Sequence, residues 1–204
     1  EAGRAAQELG AAQVHLVARD QGAAPHQQIP VREVAGQRRA VVLRRAAASL
    51  EASRPALLEV MAAETGKTLD QGDPEVSEAI DFCHWYAERA RELEQLDGAR
   101  FVPSKVTVVT PPWNFPLAIP TGGVVAALAA GSAVVFKPAT PARRSGARLA
   151  EAMWAAGVPR DVLRLVQTPD RAVGKHLISH PRVDRVILTG SYDTAKLFRS
   201  WRPE

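Results

Sequence analysis

One cysteine, Cys83, stands in a chain of 204 residues. A single thiol excludes an intrachain disulfide and a cysteine-built zinc centre. No metal site is expected from any other group of side chains. The longest apolar run, residues 122–130, falls well short of the roughly 18 residues that a membrane span needs. Aromatic residues make up only 5% of the chain, and its net charge of +4 is spread among interleaved acids and bases. A nucleic-acid surface needs a basic stripe with aromatics to stack on, so nucleic acid is not an expected partner. The densest basic group, Arg143, Arg144 and Arg148, fits the solvent face of a helix. The chain opens without a charged segment leading into an apolar one, which argues against a signal peptide. A sequence that starts at Glu1 is expected to belong to a longer one. What remains is an ordinary globular composition, 46% hydrophobic and 24% charged, large enough to bury a sizeable core.

The front of the chain reads as helical. Residues 1–9 suggest a helix end, 14–18 a short strand and 21–30 a loop. From Gln37, Leu43, Ala46, Ala47 and Leu50 recur at helical spacing. Ser53 and Pro55 mark a second helix, carried by Leu57, Leu58 and Met61 and stopped at Gly66. Asp73-Pro74-Glu75 reads as a third start: an N-cap acid, a proline in the first turn, then an acid for the helix dipole. That helix is expected to run to about Leu96, with Val76, Ala79, Ile80, Cys83, Ala87 and Ala90 as its apolar stripe.

Beyond Arg100 the pattern changes. Short β-branched runs at 106–109, 133–136, 162–166 and 183–188 alternate with helical stretches at 117–130, 145–156, 172–179 and 192–201. Strand and helix in strict alternation specify a parallel sheet with helices on both faces. The fold class is therefore α/β: a helical region over 1–100, then Rossmann-like βαβ units over 101–204.

In such a sheet ligands bind beyond the carboxyl ends of the strands. There the chain carries Thr110-Pro111-Pro112-Trp113-Asn114-Phe115-Pro116, Lys137-Pro138-Ala139-Thr140, Gln167-Thr168-Pro169-Asp170 and Thr189-Gly190-Ser191. Gly190-Ser191 opens a helix, where free N–H groups and a hydroxyl suit an anion such as a pyrophosphate; a simple helix start reads the same way. Lys137 offers a cation to a ribose or phosphate, or is merely solvated. Asn114, in a loop stiffened by tryptophan and proline, is a rigid amide donor of the kind that stabilises an oxyanion, or it ends a turn. The glycine-rich dinucleotide fingerprint G-x-G-x-x-G is missing.

Pro112-Trp113-Asn114-Phe115-Pro116, Phe136-Lys137-Pro138-Ala139 and Leu188-Thr189-Gly190-Ser191, in this order, resemble the aldehyde dehydrogenase superfamily. Glu64-Thr65-Gly66-Lys67-Thr68 is similar to its E-x-G-K-T segment. Glu78-Ala79-Ile80-Asp81-Phe82 with Trp85-Tyr86-Ala87, and Phe198-Arg199-Ser200-Trp201, resemble the branch that oxidises L-glutamate γ-semialdehyde, the Δ1-pyrroline-5-carboxylate dehydrogenases. In bacteria that activity often forms part of a bifunctional proline-utilisation protein.

The resemblance implies NAD-dependent oxidation of an aldehyde to an acid, with Asn114 as one oxyanion donor. It implies that Thr110, Pro112 and Trp113 line the cofactor channel. Lys137 would meet the adenosine ribose, and Gly190 and Ser191 the pyrophosphate. Gly174 would let its helix approach the cofactor. Phe115 would line the aldehyde tunnel and Glu78 would face the substrate's amino group; a solvated carboxylate is the other reading of Glu78. Thr140 stands where the family often has a glutamate closing on the ribose, which leaves NADP open beside NAD. FAD belongs only to a separate proline dehydrogenase domain of a bifunctional parent. The parent is expected to be a cytoplasmic homo-oligomer, with peripheral membrane association left open for a bifunctional one. The family's nucleophilic cysteine and general-base glutamate lie downstream of its Thr-Gly-Ser motif, and no residue here matches either. Cys83, on an apolar helix stripe, is expected to be a small core residue, so this chain by itself is expected to be inactive.

Overall fold

The computed structural model describes residues 15–16 and 35–202. The expected helix end at 1–9 and loop at 21–30 lie outside them. Three helices come first: α1 (Gly36–Ala52), α2 (Arg54–Thr65) and α3 (Leu69–Glu92). Gly66 ends α2 in the left-handed region at φ 72°, a backbone state that glycine adopts without a Cβ penalty.

The start of α3 differs from the expected Asp73-Pro74-Glu75. A capping box between Thr68 and Gln71 opens the helix one full turn earlier. Pro74 then lies inside α3, where it deprives only the Asp70 carbonyl of a partner. Asp73 is not a cap; it accepts from Arg54 at 2.7 Å. The helix also ends at Glu92, short of Leu96.

The alternating half follows as β2 (Val106–Thr110), α4 (Ala118–Ala129), β3 (Ala133–Phe136), α5 (Arg143–Ala155), β4 (Leu163–Gln167), α6 (Arg171–Ser179), β5 (Arg185–Leu188) and α7 (Tyr192–Trp201). β1 (His15–Leu16), within the expected 14–18 strand, pairs antiparallel with β4. The sheet order is β1-β4-β3-β2-β5. β2 pairs in parallel with both β3 and β5, and β3 with β4. The chain thus builds outward from β2 to β4, then crosses back to lay β5 on the other side of β2. That reversal makes the β2–β5 junction the topological switch point, where a crevice opens beyond the strand ends.

Strand side chains alternate between two cores. Val109, Val134, Phe136, Leu163 and Leu165 face a layer made of α1 to α5, in a core that also holds Leu43, Leu50, Met61 and Cys83. Val106, Val108, Val135 and Val166 face α6 through Leu177 and Ile178, and α7 through the partly buried Phe198 and Trp201. The expected division after residue 100 falls in the link between α3 and β2, and the larger core runs through both sides of it. Helix α4 is nearly all small and apolar because it is sandwiched: a Cβ on Gly123 would stand 2.8 Å from Val109 Cγ1, and one on Gly122 3.3 Å from the Phe82 ring of α3. No described helix is long and apolar enough to cross a membrane.

Two helix starts in the sheet half are capped from the helical layer. Glu64, near the end of α2, accepts from Arg144 N and Ser145 N at 2.7 Å each and from Ser145 Oγ at 2.8 Å. This carboxylate answers the free N–H groups and the positive end of α5. Loss of a cap of this kind costs about 0.5–2 kcal/mol. Glu64→Ala is therefore expected to lower the unfolding free energy by that margin, seen as a lower urea midpoint at an unchanged slope. A midpoint equal to wild type would show that α5 does not depend on Glu64.

Candidate functional site

The crevice at the switch point is a cavity of about 870 Å³. Its walls come from the segments after β2, β3, β4 and β5 and from the first turns of α6 and α7. Thr110 ends β2 and is buried; its hydroxyl donates to the Ile187 carbonyl at 3.2 Å, stitching β2 to β5 at the base of the cavity. Pro112, Trp113, Asn114 and Phe115 form one lip. Trp113 and Phe115 are 52% and 43% exposed, so this lip presents aromatic surface outward instead of packing it.

Lys137 and Thr140 line the opposite side, after β3. Lys137 is half-buried, and its ammonium lies 3.5 Å from the Pro138 carbonyl, its one hydrogen bond among the described residues. Burial, with the Arg143 guanidinium nearby, pushes Lys137 below the ordinary lysine value. Such a cation gains from any ligand that supplies oxygen acceptors. Gly146 brings α5 close under this segment: a Cβ there would stand 2.6 Å from Pro138 Cβ.

The far wall carries Gly174, Gly190 and Ser191. A Cβ on Gly174 would meet only Thr168 Oγ1, at 3.9 Å, so the surface of α6 here is bare backbone beside open space. Ser191 caps α7; its Oγ accepts from Thr194 N at 3.2 Å. Its hydroxyl is thus first a helix cap, and it also lies 3.0 Å from the Thr194 hydroxyl. Asp170 caps α6 in the same way, accepting from Val173 N at 2.9 Å. Two helix N-termini therefore open onto one cavity, an arrangement suited to phosphate groups.

All the residues singled out from sequence lie on this cavity except Glu78, which is exposed on α3 and does not line it. Phe82 packs under Gly122 and beside Tyr86, and Trp85 is 58% exposed. Sequence reasoning missed Phe198 and Trp201 as lining residues. They stack with ring centroids 5.5 Å apart and close the cavity from α7. Their spacing of three on a helix was the available signal. It also missed Lys67 and Glu75, which lie behind the Asn114 lip.

A parallel sheet in this strand order, with a cavity at its switch point and two helix starts opening onto it, defines a doubly wound α/β domain. The model of the aldehyde dehydrogenase family matches residues 3–200, and the chain belongs to that family. It is 40% identical over 163 residues to the bifunctional protein PutA of Klebsiella aerogenes, covering 80% of this chain and 12% of that protein. It is 35% identical to the 1-pyrroline-5-carboxylate dehydrogenase of Bacillus licheniformis, over 76% of this chain and 32% of the relative. Among solved structures, proline utilization A from Corynebacterium freiburgense superposes with a TM-score of 0.81 at 46% identity, covering 84% of this chain and 18% of that one. The chain therefore spans a minor part of the length of these relatives.

Proposed function

We propose that this chain supplies the nucleotide half of an NAD-dependent dehydrogenase that oxidises L-glutamate γ-semialdehyde to glutamate, in proline catabolism. The observation that carries the cofactor reading is Lys137, a half-buried ammonium on the switch-point cavity whose one hydrogen bond among the described residues is a long one to the Pro138 carbonyl. The bare backbone at Gly174 adds to it, since a flat ligand gains close approach there. When bound, the nicotinamide accepts the hydride that leaves the aldehyde carbon.

The chain's own residues then have separate tasks. Lys137 donates to the adenosine ribose. Gly190 and the Ser191 helix start hold the pyrophosphate, and Thr110, Pro112 and Trp113 line the channel. Asn114 donates its amide N–H to the oxyanion that forms when a thiolate adds to the carbonyl. Phe115 borders the aldehyde path, and Glu78 faces the substrate's amino group from α3. Thr140 favours a second cofactor reading, NADP: it sets no carboxylate against a 2′-phosphate, and Arg143 stands near Lys137. The complete enzyme is proposed to be a cytoplasmic homo-oligomer that needs FAD only in a separate proline dehydrogenase domain.

The nucleophile and base belong to residues outside this chain in this reading, so the substrate is tested on the complete enzyme. NADH formation with glutamate γ-semialdehyde is expected to exceed that with simple aliphatic aldehydes in kcat/KM. Equal or inverted values would sink the substrate assignment and leave the cofactor assignment standing.

A further inference from the structure

Asn114 makes no hydrogen bond among the described residues, so its amide is placed by its loop alone. That loop, residues 111–116, leaves β2 at Thr110 and enters α4 at Leu117. Two side chains from the helical layer hold it from behind. Glu75, two turns into α3, has a side chain only 1% exposed. Its Oε1 accepts from Leu117 N at 2.7 Å and from Ala118 N at 3.1 Å. Its Oε2 lies 2.8 Å from Lys67 Nζ, whose side chain is 13% exposed. Lys67 follows the left-handed Gly66 in the short link between α2 and α3, and its ammonium sits 4.3 Å from the centroid of the Phe115 ring.

We infer that Lys67 and Glu75 form a buried positioning pair for the Asn114 loop. Glu75 fixes the loop's exit by satisfying the first N–H groups of α4. Lys67 fixes its middle by a cation–π contact with Phe115, and the ion pair couples the two. A buried carboxylate and a nearly buried ammonium each need the other, so the loop is held by a unit, not by two independent contacts. Asn114 lies next to Phe115 and is thereby kept from swinging, although nothing bonds to it. Neither residue of the pair lines the switch-point cavity. Its catalytic consequence rests on the reading of Asn114 as an oxyanion donor; its structural consequence does not.

The loop carries its own reporter, Trp113. In the 204-residue chain labelled with 5-fluorotryptophan, the ¹⁹F resonance of Trp113, assigned with Trp113→Phe, is expected to shift or broaden in Lys67→Met and Glu75→Gln. It is expected to return in Lys67→Arg, which restores the cation. The Trp154 resonance, whose indole donates to Leu163 O on α5's side of the sheet, is expected to stay in place throughout. If Glu75→Gln does not fold, the Lys67→Met and Lys67→Arg comparison decides the matter by itself.

In the complete enzyme, Lys67→Met is expected to lower kcat on the order of a hundredfold, the cost of a misplaced catalytic group. Lys67→Arg is expected to recover most of the rate. A Trp113 resonance indifferent to Lys67→Met would overturn the pair. So would a kcat loss that Lys67→Arg shares. An enzyme indifferent to Asn114→Ala would instead remove the oxyanion reading, while the fluorine result would stand or fall separately.

Discussion

In the complete enzyme, Asn114→Ala is expected to cut turnover by about a hundred- to a thousandfold, the range seen when one oxyanion donor is removed. The size follows from timing. The aldehyde oxygen is a weak acceptor in the bound substrate and a strong one once the carbonyl has been attacked. A donor that strengthens its bond only then lowers the barrier without tightening the ground state. KM for the aldehyde and affinity for NAD are accordingly expected to change little. The geometry makes the test clean: Asn114 is exposed on the cavity lip and bonds to no described residue, so its truncation leaves no buried group without a partner. Steady-state kinetics paired with NAD titration reads both quantities. A variant whose kcat equals wild type would show that Asn114 only terminates its loop.

The second large effect is an absence of reactivity. Cys83 is fully buried in the core on the stripe of α3, and burial pushes its thiol up to about 12. Set against the ordinary value near 8.5, that leaves on the order of a thousandfold less thiolate at pH 8. That shift comes from burial alone. The 204-residue chain is therefore expected to form no NADH from any aldehyde, and Cys83→Ser is expected to change nothing. Iodoacetamide is expected to alkylate Cys83 about a thousandfold more slowly in the folded chain than in urea. The same shift ties stability to pH. The folded thiol holds its proton where the unfolded one has lost it. Its contribution is complete below about pH 8.5 and is lost as pH rises toward about 12. Aldehyde-dependent NADH that disappears in Cys83→Ser would refute the core assignment outright.

How much of this was legible beforehand depended on whether the determinant was local. The parallel strands could be read because buried strands of such a sheet are short β-branched runs, and Val106, Val134 and Val135 advertise them. The cavity could be read because topology places any ligand beyond those runs, whatever the exact pairing. The start of α3 could not. Asp73-Pro74 is a strong local start signal, but Thr68 and Gln71 cap a turn earlier and the proline is tolerated inside. Glu64 and Glu75 were equally opaque. Each caps a helix that lies far along the sequence, at Ser145 and at Leu117, and no periodicity links a carboxylate to a distant N–H. Ser191 was half legible: its place at a helix start was plain, whereas the use of its hydroxyl as the cap of α7 needed coordinates.

Calorimetric titration of the 204-residue chain with NAD and with NADP measures directly whether the switch-point cavity holds the cofactor. Lys137 and Ser191 both line that cavity. The expected result is weak but saturable binding of at least one of them, reduced in Lys137→Ala and again in Ser191→Ala, with circular dichroism unchanged. No heat from either nucleotide at millimolar concentration, in a sample whose dichroism shows it folded, would contradict the assignment.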